Sequence, residues 1–178
     1  MRITGGTLRS RRIAAPKGHS TRPTTDRVRE ALFGILEASG RVRGSRVLDA
    51  FAGTGALGLE AISRGASAVT FIESAKPALA VLKKNVADLG VHARILGKPA
   101  GAVALALEEE FDLVLCDPPW AEIPRLMPVL EALAALVAPG GTFVLEHARR
   151  TVIPASLGRL VAADTRTYGD TALTFFEG

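Results

Sequence analysis

Residues 47–61 read VLDAFAGTGALGLEA. An apolar run of strand type gives way to Gly53-x-Gly55-x-x-Gly58, and a helical pattern follows at once. Glycines at this junction let the backbone turn tightly and let a ligand approach with no Cβ in the way. Alone the spacing is weak, but its context strengthens it. The next strand-like run, SAVTFIE, ends on Glu73, 20 residues beyond Gly53. An acid at that place can accept both hydroxyls of a ribose. The fold therefore begins as a strand–loop–helix–strand unit built to hold a nucleoside.

Asp49 decides which nucleoside. It lies four residues before the first glycine, where a carboxylate would oppose the two phosphates that a dinucleotide places at a helix N-terminus. It suits a cation instead. S-adenosylmethionine carries a sulfonium, an ammonium and no phosphate, and is the expected cofactor.

Strand and helix patterns alternate outward from this unit. SRVLDAF, SAVTFIE, VHARIL, FDLVLC and GTFVLEH read as short strands of nearly continuous apolar character, as expected where helices cover both faces of a parallel sheet. GALGLEAISRG, KPALAVLKKNVADLG, GAVALALEEE and IPRLMPVLEALAALV read as the helices between them. The end differs: LVAADTRTYGDTALTFFE holds two strand-like runs joined by Gly169-Asp170, a hairpin dipeptide. Upstream, TRPTTDRVREALFGILEASG carries a helix-start signal at Pro23-Thr24-Thr25, an apolar face at Val28, Leu32, Ile35 and Leu36, and a stop at Gly40. Residues 1–20, with Gly5-Gly6, Pro16 and Gly18, read as a hairpin or extended arm. The expectation is one α/β domain over residues 1–178: an arm (1–20), a helix (21–40) and a core (45–178). Its sheet has seven mostly parallel strands and ends in an antiparallel hairpin.

LVLCDPPWAEI (113–123) closes the fourth core strand with Asp117-Pro118-Pro119-Trp120. That strand neighbours the first in a doubly wound sheet, and ligands bind at this edge, where the strand order reverses. Two prolines remove two N–H donors, leaving the Asp117 carboxylate and the Pro118 carbonyl as acceptors. An exocyclic amine is a donor pair whose lone pair is delocalised into the ring. Two acceptors gripping its hydrogens favour a pyramidal nitrogen and aim the lone pair at a methyl group. Trp120 offers a face for the base, worth ~1–3 kcal/mol. Asp117, Pro118, Pro119 and Trp120 are the expected catalytic loop, with positioning as the main catalytic effect.

LDAFAGTGALGLEAISRGA, VTFIE and DPPW, in this order, resemble the amino-methyltransferases that use S-adenosylmethionine. RITGGTLRSRRIAAP, RPTTDRVREALFGIL and YGDTALTFF narrow the resemblance to the RsmD family, the bacterial 16S rRNA (guanine(966)-N(2))-methyltransferases, over almost the whole chain. The resemblance implies a Rossmann-like class I fold and methylation of one guanine N2 of small-subunit ribosomal RNA, within an assembled or assembling 30S particle. Carried over by position, Asp49, Phe51, Gly53, Thr54, Gly55, Glu73 and Ser74 hold the cofactor. Arg9, Arg11, Arg12 and Arg22 meet RNA phosphates. Trp120 departs from the Phe or Tyr usual in the family and enlarges the wall of the base pocket. Many relatives carry an acid near the adenine after the third strand; here Gly97, Lys98 and Pro99 stand there, so backbone groups become the expected adenine contact. Arg27 and Arg29 lie two apart on a helix and cannot share a face, so one is expected to pair with Glu30 or Glu37.

Charge supports a polyanionic partner. Of 178 residues with net charge +4, the first 46 hold 11 Lys/Arg and 3 Asp/Glu, a local balance of +8; the remainder balances at −4. No apolar run reaches the roughly 18 residues of a membrane span, and the expectation is a monomeric cytosolic protein. The lone Cys116 reads as a core residue, and His19, His92 and His147 as loop or surface, without metal-ligand spacing. Two other readings fit the same residues: an adenine-N6 or protein glutamine methyltransferase, and an RNA-binding assembly factor with a vestigial site.

Overall fold

The computed structural model describes residues 1–15 and 25–178. Arg22 and His19, named above, lie outside the described residues. The first helix, α1 (Asp26–Ala38), begins where Thr25 accepts a hydrogen bond from the Val28 N–H through its side chain, with Asp26 in the first turn. Gly40, just beyond its end, takes the left-handed conformation. The core then alternates: β1 (Arg46–Ala50), α2 (Ala56–Ser63), β2 (Ala68–Ile72), α3 (Lys76–Leu89), β3 (Arg94–Leu96), α4 (Ala100–Ala104), β4 (Phe111–Cys116), α5 (Ile123–Ala134) and β5 (Val137–Ala148). Three strands follow, β6 (Ser156–Leu157), β7 (Leu160–Tyr168) and β8 (Thr171–Glu177).

The sheet runs β3-β2-β1-β4-β5-β8-β7-β6, with β1 to β5 parallel and the last three antiparallel. It has eight strands, not the seven expected from sequence. The extra one, β6, pairs only Ser156 and Leu157 with β7, too short a stretch to carry an alternating pattern. Helix α4 is also shorter than the expected 101–110. Glu108, Glu109 and Glu110 follow it, at the end where a helix dipole repels carboxylates, and Glu109 pairs with Arg46 and Arg94 instead.

Strand alternation divides the core. Val47, Leu113, Leu115 and Val144 face α1, α2 and α3, whereas Leu48, Val114, Cys116 and Leu145 face α4 and α5. Residues 1–15 of the arm pack on the body of the protein. Arg2 and Arg12 form a bridge, and Ile3 and Ile13 insert into the α1–α3 side of the core.

One buried carboxylate holds this side together. Glu60 of α2 accepts from the Thr4 N–H (2.9 Å), the Thr4 hydroxyl (2.8 Å) and the Gly5 N–H (2.8 Å). It also pairs with Arg29 Nε (3.2 Å) and Arg64 Nε (2.8 Å). Arg29, fully buried, binds Asp26 and the Arg2 carbonyl as well, so its partners are Asp26 and Glu60 rather than Glu30 or Glu37. Its Nη1 has no partner among the described residues. Burial works to raise the Glu60 carboxyl, but the bonds from Thr4 and Arg64 and the Arg64 charge hold it below its ordinary 4.5.

Removing Glu60 takes from Arg29 its one buried carboxylate and leaves it the exposed Asp26, a loss of about 3 kcal/mol. Glu60→Ala is expected to lower the unfolding free energy by that amount, read as a lower denaturant midpoint. A depressed carboxyl stabilises the fold above its unfolded value and loses that contribution as pH falls through its folded value. The gap between wild type and variant should therefore close on acidification below about 4.5; a pH-independent gap would assign Glu60 no electrostatic role.

Candidate active site

The carboxyl ends of β1, β2 and β4 lie side by side, with Asp49 opposite Phe71 and Leu115 in register. The glycine loop leaves β1 through three left-handed residues, Phe51 (φ 60°), Gly53 (φ 56°) and Gly55 (φ 83°). A bulky side chain is rare in that region, and such strain gathers at functional sites. The loop is over-determined by its bonds. The Ala52 N–H donates to the Ile72 carbonyl (2.9 Å), the Gly55 N–H to the Ala52 carbonyl (2.7 Å), and Asn85 Nδ2 of α3 to the Thr54 carbonyl (3.0 Å). Thr54 is buried, while Ser74 is exposed at the far rim.

Asp49 is not an open carboxylate at the mouth of the site. It is buried, and its Oδ2 accepts from the Gly58 N–H at 2.8 Å. Gly58 is required there, since a Cβ would stand 2.2 Å from the Phe71 ring. Burial drives the Asp49 carboxyl up to about 8; the Gly58 bond pulls it down, and the charges of Asp117 and Glu73 push it further up. Glu73 is half-buried, and its oxygens accept from the Gly53 N–H (2.8 Å) and the Ala75 N–H (2.7 Å). Each oxygen keeps a second lone pair for a ribose hydroxyl.

A Cβ at Gly53 would meet nothing within 4 Å, so open space stands directly before the loop. That space, rimmed by Glu73 and Asp117 with Asp49 buried behind the loop, fits a cationic nucleoside and would repel a pyrophosphate. Beyond Leu96, Gly97 and Lys98 are exposed, and the Leu96 carbonyl accepts from the Glu73 N–H.

At the end of β4, Asp117 is half-buried, Pro118 buried and Pro119 exposed. Pro119 opens a single 3-10 turn, Trp120–Glu122, closed by the Glu122 N–H on the Pro119 carbonyl (2.8 Å). Trp120 packs part of its surface on the α4–α5 core and leaves the rest open. No hydrogen bond among the described residues ends on the Pro118 carbonyl. The donor-free lip and the cradle thus share one sheet edge. Cys116, beside them, is buried, and burial followed by the charges of Asp117 and Asp49 pushes its thiol well above its ordinary value; it stays a protonated core residue. His147 is a buried residue of β5, not a surface one. Its Nε2 lies 2.8 Å from the Thr174 hydroxyl, and burial depresses its pKa. No cluster of potential metal ligands occurs among the described residues.

Arg9, Arg11 and Arg12 are exposed on the arm, and Arg11 donates to the Asp88 carbonyl (3.0 Å). Sequence reasoning missed Asn85 and Glu60. The first sits mid-helix among lysines and the second on a short helix, and neither spacing reveals that the arm meets the glycine loop at Asn85 and docks on Glu60.

A five-stranded parallel sheet ordered 3-2-1-4-5, extended by antiparallel strands and bearing an acid-lined cradle at the ends of β1 and β2, defines a Rossmann-like methyltransferase dependent on S-adenosylmethionine. Within that class the chain belongs to the family described as Conserved hypothetical protein 95, whose family model matches residues 1–177. It is 33% identical to YlbH of Bacillus subtilis (strain 168), over 99% of this chain and 98% of that protein. It is 40% identical to the ribosomal RNA small subunit methyltransferase D of Escherichia coli (strain K12), over 67% of this chain and 60% of that protein. Among solved structures, a hypothetical protein of Thermus thermophilus superposes with a TM-score of 0.87 at 35% identity, covering 100% of this chain and 99% of that one.

The raised Asp49 carboxyl makes a two-part prediction. An acid that is harder to ionise in the folded state costs stability as pH rises from about 3.8 to about 8. Asp49→Asn is therefore expected to melt higher than wild type at pH 8 without ligand, the difference shrinking as the pH is lowered. In the same variant, calorimetric titration should show S-adenosylmethionine affinity reduced by about tenfold, because a cation favours the ionised carboxylate. Equal melting at every pH would remove the assigned burial cost.

Proposed function

We propose that this protein transfers a methyl group from S-adenosylmethionine to the exocyclic N2 amine of a guanine in 16S rRNA, with guanine(966) as the target. The observation that carries this reading is the pair of acceptors at the end of β4, Asp117 and the Pro118 carbonyl, set beside the acid-lined cradle of β1 and β2. The relative named ribosomal RNA small subunit methyltransferase D supports the choice of substrate.

The cofactor, when bound, supplies an electrophilic methyl on a sulfonium. Glu73 accepts the ribose hydroxyls, and Asp49, ionised by the arriving cation, keeps its bond to Gly58 and so preserves the loop. Trp120 receives the target base, which must leave its stack to reach this edge. Asp117 and the Pro118 carbonyl accept the two amine hydrogens and turn the nitrogen lone pair toward the methyl. As the N–C bond forms and the S–C bond breaks, the nitrogen becomes cationic and its surplus proton passes to Asp117 or to water. No covalent enzyme intermediate is needed, and the rate comes from alignment. The substrate is the 30S subunit or an assembly intermediate, met by a monomer in the cytoplasm. No described helix is long and apolar enough to cross a membrane.

The test uses radiolabelled S-adenosylmethionine and 30S particles from a strain lacking the protein. Label should appear in guanine N2 of 16S rRNA. Asp117→Ala should cut the rate by at least about a hundredfold while retaining cofactor binding. Label in adenine or in protein would replace this reading with another amine methyltransferase; RNA binding with no label would make the protein an assembly factor.

A further inference from the structure

We propose that the turn after β5, carrying Arg149, Arg150 and Val152, is a second RNA-backbone contact, placed beside the catalytic loop and separate from the basic arm. The inference rests on the RNA reading above.

The position follows from register. Leu145 of β5 lies opposite Cys116 of β4, so Glu146 is level with Asp117. Three residues further, Arg149 stands about 10 Å beyond the catalytic loop along the strand direction, one strand over. The Thr151 N–H donates to the Ala148 carbonyl (2.8 Å), which makes Arg149 and Arg150 the two central residues of a tight turn. The Arg149 N–H donates to the Asp170 carbonyl (2.7 Å) in the β7–β8 hairpin, so the turn is braced from its own sheet. Ile153 anchors its far side on the α4–α5 core.

The turn is therefore held while its side chains are not. Arg149 and Arg150 are both exposed, and neither forms an ion pair among the described residues. Val152 is 93% exposed, an apolar side chain with nothing over it. Two cations and an apolar methyl pair on a braced turn match a phosphate–sugar chain, with the guanidiniums on phosphates and the valine against a ribose.

The electrostatics of the edge call for such a contact. Glu73 and Asp117 make the mouth of the cleft acidic, which suits the cofactor but repels the RNA that must deliver the base. Arm residues Thr4, Gly5 and Leu8 dock on Glu60 and Ser63, toward the far end of α2, away from this edge. The described part of the arm then reaches the glycine loop through the Ala14–Asn85 bond, on the α3 side of the site rather than the β5 side. Arg149 and Arg150 sit on the Asp117 side of the sheet, where the nucleotides flanking the target pass.

The experiment compares wild type with Arg149→Ala/Arg150→Ala in binding to a 16S rRNA fragment and to 30S particles across a salt series, with S-adenosylmethionine titrated in parallel. Losing two phosphate contacts should weaken fragment binding about tenfold or more and lower the slope of log K against log salt by about 1.5. Cofactor affinity should be unchanged, and Arg149→Lys/Arg150→Lys should restore most of the slope. An unchanged slope, or a parallel loss of cofactor affinity, would overturn the proposal. So would loss of particle binding with fragment binding intact, which would make the turn a contact for ribosomal protein. Failure of the wild type to label guanine would instead strike the functional reading, since the slopes are read without turnover.

Discussion

The hydrogen bond from the Gly58 amide to Asp49 is the constraint on which the site depends. It ties the end of β1 to the first turn of α2 across a loop that must reverse direction within a few residues. Glycine at 58 brings the helix onto Phe71, and left-handed residues at 51, 53 and 55 complete the turn. The loop is thereby shaped before any ligand arrives, which lowers the ordering cost of binding. The shape demands a buried acid, and that acid is raised to about 8 with no cation beside it. The buried acid is thus a local electrostatic cost, which a cation held beside it would offset.

Charge elsewhere is sorted by depth and by edge. Glu60 and Arg29 are buried and satisfied mostly by each other and by the arm backbone, so they specify where the arm lies more than they add stability. Asp49, Glu73 and Asp117 gather at the carboxyl edge. Exposed cations include Arg9, Arg11 and Arg12 on the arm and Arg149 and Arg150 on the turn after β5. An acidic mouth with basic flanks is what the proposed reaction requires, since it must hold a cation and a polyanion together. Asn85 links the two regions, accepting from the Ala14 N–H (2.8 Å) while donating to the Thr54 carbonyl.

Much of this was legible from local pattern. Thr25 caps α1, Gly40 and Gly65 follow helix ends, and Gly90 closes α3 in the left-handed conformation, as the spacing of apolar residues required. The run FDLVLC matches β4 residue for residue. Local pattern failed where an element is too short or where a polar residue is buried by distant chain. Strand β6 has two residues, and α4 ends before its acids. Glu30 and Glu37 were the expected partners for Arg27 or Arg29 because helical spacing relates them only to their own helix, whereas the main partner of Arg29 lies 31 residues away. His147 was read as surface because one polar residue in a strand carries no sign of the Thr174 hydroxyl across the sheet.

The sequence by itself determined the alternating strands and helices, the glycine turn with its acids, and the donor-free end of β4, because each is written in residues close together along the chain. The tertiary structure alone decided that Asp49 is buried and bonded to Gly58, that Glu60 fastens the arm, and that the turn carrying Arg149 and Arg150 follows the strand next to β4. Those relations depend on register between strands far apart in sequence and on removal of charge from water, and both exist only after the sheet has assembled.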